Sequence, residues 1–159
     1  MGAKTEALAM QFEAKAREAT ALLEKLSDAD WKKITAAEKW SVGVTAHHVA
    51  GAHEPIANIV KTLAAGQSVP HFTTAMLDDL NAQHAKEFAG VGKSETIALH
   101  EKGVATAAAV VRSLSDDQLA KTGTVFADVP PMSAAQMITQ GLIGHIEDHF
   151  GSIRKTIGG

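Results

Sequence analysis

Two histidines four residues apart mark the last apolar segment of the chain, GLIGHIEDHFGSIRKTIGG, where His145 and His149 stand at i and i+4. On an α-helix such positions differ by only ~40° of rotation, so both imidazoles face the same way. Leu142 and Ile153 keep the same step, which turns the pair toward the interior. Two neutral imidazoles bring four ring nitrogens into apolar surroundings, and each one left without a partner costs ~1–3 kcal/mol. A divalent cation takes a lone pair from each ring at once, and imidazole suits zinc, nickel, copper and iron. Helix-borne zinc peptidases need a glutamate directly after the first histidine. Ile146 stands there instead, and Glu147 and Asp148 fall off the histidine face, as solvated residues or partners for Arg154 and Lys155. The pattern therefore speaks for a metal and against a peptidase.

The chain holds eight histidines, and helical phase sorts the other six. His48 shares an apolar stripe with Val44, Ala52, Ile56, Ile59 and Leu63, and is placed to supply a third ligand. His47 is rotated ~100° from it, toward the rim or surface, and is the second choice. His53 falls off the stripe, His71 sits in a loop beside Pro70, and His84 lies on a polar helix. His100 shares a stripe with Ile97 and Val104 and is a further candidate. A lone histidine on an apolar face, though, is usually a hydrogen-bonded core residue. Glu101, next to it, receives no role.

These side chains need a scaffold, and the 3.6-residue rhythm supplies one. The spacing predicts a first helix over Thr5–Leu26 and a connection over Ser27–Trp40 anchored by Trp31, Ile34 and Trp40. A second helix follows Ser41 as N-cap and ends near Gly66, with Pro55 expected to kink or break it. Gln67–Phe72 reads as loop and Thr73–Phe88 as a shorter helix. A further helix opens at Ser94 and Glu95 and runs to Leu114. The last is capped by Ser133 and carries Met137, Ile138, Leu142, His145, His149 and Ile153. The alanine-rich ATAAAVV stretch, Ala105–Val111, suits burial inside a bundle or against a second copy. Only TGTVFADV hints at a strand. The fold class is all-α: a four-helix bundle with an additional short helix, formed as a single domain over residues 1–159.

Composition narrows the function classes. A net charge of -3 with no basic run does not suggest a nucleic-acid partner. The absence of cysteine removes disulfides, thiolate metal sites and a cysteine nucleophile, and fits a reducing compartment. No apolar run approaches the ~20 residues of a membrane span. The charged first residues do not read as a signal peptide, so a cytoplasmic location is expected.

The segment KWSVGVTAHHV, with His48 eight residues after Trp40, resembles the second-helix signature of the DinB-like family. HIEDHFGSIRKTI resembles that family's last-helix signature, and DDLNAQHAKEFAGVGKSETIALHEKG its middle section. The resemblance covers essentially the whole chain. It implies a four-helix bundle holding one divalent metal through His48, His145 and His149, the three that helical phase also selects. Three protein ligands leave coordination positions open, as in catalytic rather than structural sites. A metal so held lowers the pKa of bound water or acts as a Lewis acid. The expected ion is zinc or nickel. The resemblance also implies a homodimer and a choice of chemistries: a metal-dependent hydrolase, or a thiol S-transferase acting on a low-molecular-weight thiol such as bacillithiol or mycothiol. The alternative is a non-catalytic, stress-related metal-binding bundle that serves as a ligand-binding or dimerisation module.

Overall fold

The computed structural model describes residues 2–69 and 71–158; Pro70, within the expected 67–72 loop, and the two terminal residues lie outside the described residues. The elements are α1 Ala3–Lys25, α2 Asp28–Lys32, α3 Val42–Ala64, α4 Thr74–Glu87, α5 Lys93–Ser113, α6 Asp116–Leu119, β1 Thr122–Gly123, β2 Met132–Ser133, α7 Ala134–Met137, a π-helical turn Ile138–Ile143 and α8 Gly144–Gly158. α1, α3, α5 and the composite α7–α8 rod make an all-α four-helix bundle. The expected extra helix is α4, and α2 and α6 are further one-turn pieces. TGTVFADV contributes only the two-residue β1, paired antiparallel with β2 through Thr122 and Ser133.

Caps set the boundaries. The Ser41 hydroxyl accepts the Val44 N–H at 3.0 Å and starts α3, and Gly66, at φ 76°, follows its end. Ser133 opens α7 in a reciprocal capping box with Gln136. Pro55 does not break α3, which runs unbroken through it. The hydrogen bond that proline omits would end on the Gly51 carbonyl, and both residues lie on the exposed face.

The core is built from Phe12, Leu23, Val42, Val49, Val60, Leu63, Ile138, Leu142, Phe150 and Ile153, with Ala107, Ala108 and Val111 of the alanine-rich stretch buried among them. Two expected stripes are corrected. The buried face of α3 runs through Ala46, Val49, Ala50, His53, Ala57 and Val60, about one residue's rotation from the predicted one. Its small residues let it pack closely on α5. His53 is therefore a core residue and His47 is buried, whereas His48 sits on the flank. In the last rod the π-helical turn adds a residue to the winding and shifts the phase beyond it. Ile146, Phe150 and Ile153 then face the core, and His145 and His149 lie beside that face, half-buried. Ile34, expected as an anchor, is 62% exposed. Trp31 and Trp40 keep their anchoring roles; Trp31 donates its indole N–H to the Val91 carbonyl at 2.9 Å.

Candidate metal centre

Three elements converge on one point: the flank of α3 with His48, the first two turns of α8 with His145 and His149, and the loop before α3. One ring nitrogen from each of the three histidines lies within 4.8 Å of the other two. His48 Nε2 and His145 Nε2 are 3.0 Å apart. Nitrogens bound ~2.0–2.1 Å from one cation stand about 3.0–3.4 Å from each other, so this spacing fits convergent lone pairs as well as a hydrogen bond. The rings meet edge to face, with centroids 4.6–4.9 Å apart.

The loop from 33 to 41 supplies a residue that sequence spacing did not reveal. It folds back on itself through Thr35 N–H to the Trp40 carbonyl at 2.8 Å and Val42 N–H to the Lys33 carbonyl at 2.8 Å. Lys39 closes the turn in the left-handed region, at φ 63°. This turn aims Glu38 and Trp40 at the same site. The Trp40 ring lies edge-on to His48, with centroids 5.2 Å apart. Glu38 accepts from His149 Nδ1 at 2.6 Å and from the Ser152 hydroxyl at 2.6 Å. A carboxylate only accepts here, so His149 carries a proton on Nδ1 and turns Nε2 toward the site. Metal-bound histidines are typically oriented by such a carboxylate. Burial alone would raise the Glu38 carboxyl pKa, but hydrogen bonds from Ser152, His149 and Thr35 outweigh it and hold it below the ordinary range. Glu38 is therefore ionised at neutral pH.

Two imidazoles of the site, His48 and His145, are held neutral. Burial, followed by the cost of a charge near His149, lowers the His48 pKa to about 4. The same two causes, in the same order, lower that of His145 to about 3. A neutral ring offers the lone pair a cation needs. Among the described residues the donor set is three imidazoles without a carboxylate or thiolate in the cluster, and it suits a borderline divalent ion.

The remaining histidines divide among neighbouring groups. His47 Nδ1 and His84 Nε2 are 2.7 Å apart, and both rings stack near Phe88. The His84 ring is 5.8 Å from that of His48. His47 thus bonds α4 and does not join the triad. His100 pairs with His53 at 3.0 Å in the core, away from the three-nitrogen cluster. His71 is exposed. Glu147 and Asp148 are exposed as expected, and neither forms an ion pair with Arg154 or Lys155 among the described residues.

Comparison with known proteins agrees with this architecture. The model of the DinB superfamily matches residues 11–153. No curated protein matches the chain in sequence. Among solved structures, a mycothiol-dependent maleylpyruvate isomerase superposes with a TM-score of 0.73 at 15% identity, covering 94% of this chain and 60% of that one. The chain therefore spans less than two thirds of that enzyme. An uncharacterised protein from Clostridium difficile 630 gives a TM-score of 0.75 at 14% identity, covering 95% and 94%. YfiT from Bacillus subtilis, described as a probable metal-dependent hydrolase with an unusual four-helix bundle topology, gives 0.67 at 17% identity, covering 98% and 86%. At these identities the likeness speaks to the fold.

Proposed function

For a chain that belongs to the DinB superfamily, we propose that His48, His145 and His149 hold one divalent cation, zinc or nickel, in a site open to substrate. The observation that carries this reading is the convergence of three ring nitrogens within 4.8 Å on half-buried imidazoles. When bound, such an ion supplies Lewis acidity and lowers the pKa of a coordinated water or thiol. The chain's own residues do the rest. Glu38 orients His149, Trp40 packs against His48, and burial keeps the His48 and His145 rings unprotonated.

The reaction we infer is a metal-dependent hydrolysis or an S-transfer from a low-molecular-weight thiol. The printed description of the probable metal-dependent hydrolase supports the first, and that of the mycothiol-dependent isomerase supports the use of a low-molecular-weight thiol. The proposal includes a cytoplasmic location and a homodimer, the latter as the family resemblance implies; sedimentation as a monomer at every concentration would overturn the homodimer. No helix among the described residues is long and apolar enough to cross a membrane.

Elemental analysis of protein made without a histidine tag tests the metal, paired with His149→Ala. The variant is expected to stay helical at about pH 7.5 and to lose the ion, because burial along the helix faces supplies most of the stability. A variant that unfolds would make the ion a structural staple, and one that keeps stoichiometric metal would remove His149 from the ligand set. Adding a small thiol to cobalt-loaded protein separates the chemistries: a sulfur-to-cobalt charge-transfer band supports S-transfer, and its absence leaves hydrolysis.

A further inference from the structure

One glycine of the last rod has no reason within a single chain. Gly151 stands in the middle of α8, where glycine costs helix stability relative to alanine. At Gly103 packing explains the glycine, since an added Cβ would stand 3.1 Å from His53 Cβ. At Gly151 an added Cβ would meet nothing within 4 Å. Such a position offers a backbone that something from outside can approach closely.

Gly151 lies in a surface groove of about 750 Å³ between α8 and the loop before α3. The loop wall carries Ile34, which is 62% exposed, with Ala36 and Ala37 exposed beside it. On the α8 wall Ser152 donates its hydroxyl to Glu38 at 2.6 Å, and Thr156 donates its own to the Ser152 carbonyl at 2.9 Å. Both hydroxyls of the groove are therefore satisfied within the chain, and its centre is apolar. The charges lie at the two ends, with Glu147 and Asp148 one turn before Gly151 and Lys155 one turn after it. All three are exposed, and none forms an ion pair among the described residues. An apolar centre with a charged rim is the make-up of a protein–protein contact.

The order of the charges selects the occupant. Glu147 and Lys155 each stand four residues from Gly151, about 6 Å along the helix axis. A second α8 laid antiparallel across Gly151 brings its Lys155 level with Glu147, and its Glu147 level with Lys155. A wholly acidic or wholly basic partner would meet a like charge at one end. A two-fold contact uses the same patch on both sides and needs this self-complementarity.

We propose that this groove is where a second copy of the chain docks, α8 against α8 in antiparallel sense across Gly151, with Glu147 paired to Lys155 twice and Ile34 of each copy covered by the other. The contact rests on the homodimer reading above and gives it an interface. The alanine-rich stretch, the other segment suited to meeting a second copy, has Ala107, Ala108 and Val111 committed to the core.

Sedimentation of the untagged protein over a range of concentrations tests the contact. Wild type should dimerise. Lys155→Glu sets like charges against each other at both ends and should weaken the dimer about tenfold or more. Adding Glu147→Lys restores opposite charges and should recover most of the loss. Gly151→Leu should also weaken the dimer, with a thermal midpoint, measured at dilutions where the chain is monomeric, that is unchanged or raised. A fallen midpoint would place the need for glycine inside the single chain and overturn the contact. A dimer indifferent to Lys155→Glu and Gly151→Leu, or a double variant as weak as Lys155→Glu alone, overturns this surface and leaves the homodimer standing. Wild-type protein that is monomeric at every concentration defeats the homodimer and the surface together.

Discussion

Glu38 holds more of the site than its place in a loop suggests. Its carboxylate is only 9% exposed and bonds both His149 and Ser152. Replacing it with glutamine removes the charge yet keeps the shape, so the expected result is a folded protein whose metal affinity falls about 10- to 100-fold. Competition with a chelator of known affinity checks this, and unchanged affinity would reduce Glu38 to a packing residue. The grouping of the three histidines was legible because positions i and i+4 share a helix face and the family resemblance sets His48 beside them, although the stripe assigned to His48 was one residue's rotation off. Glu38 was not, because its role depends on a positive φ at Lys39 that brings the preceding carboxylate under α8, and no periodicity encodes such a turn. The core pair His53–His100 was missed for another reason. His100 was read as a core residue, but its partner was not, because the predicted α3 stripe was one residue's rotation off and left His53 outside it.

At the level of the elements, helix ends and core-facing segments followed from caps and periodicity, while phase within them did not. α3 is buried over a wider arc than one stripe, since alanines and glycines on α3 and α5 allow close approach. Gly103 on α5 shows how tight that approach is: an added Cβ would also come within 3.2 Å of the Ala50 carbonyl oxygen of α3. Alanine is intrinsically better in a helix than glycine by ~1 kcal/mol. Overpacking against backbone costs about 1–3 kcal/mol. We expect Gly103→Ala to lower the thermal midpoint of the metal-free protein, and a raised midpoint would show that α3 and α5 can part at little cost. The π-helical turn was likewise invisible, because its residues ITQGLI carry an ordinary helical pattern. Such turns recur at functional sites, and here one sits immediately before the two histidines of α8.

For the molecule as a whole, so many buried imidazoles make stability depend on pH. Burial lowers the pKa of His53 to about 3, and it also lowers those of His100, His145 and His48. The unfolded chain takes up these protons near the ordinary histidine value of ~6.5, whereas the folded protein resists them. Between those limits the unfolded state binds more protons, so stability falls as pH falls. The urea midpoint of the metal-free protein is expected to be lower at pH 5.5 than at pH 7.5; equal midpoints would mean that the rings are not protected from protonation. α4 stands apart from this shared core. None of its residues is buried, and it is tied down through His84 and the adjoining Phe88, which meet His47, and through Thr74, which donates to Asp128. Segments with so little apolar burial open without global unfolding. Backbone amides of α4 should therefore exchange with deuterium well before those of α3 and α5, and a histidine-modifying reagent should reach His47 at the rate of that local opening.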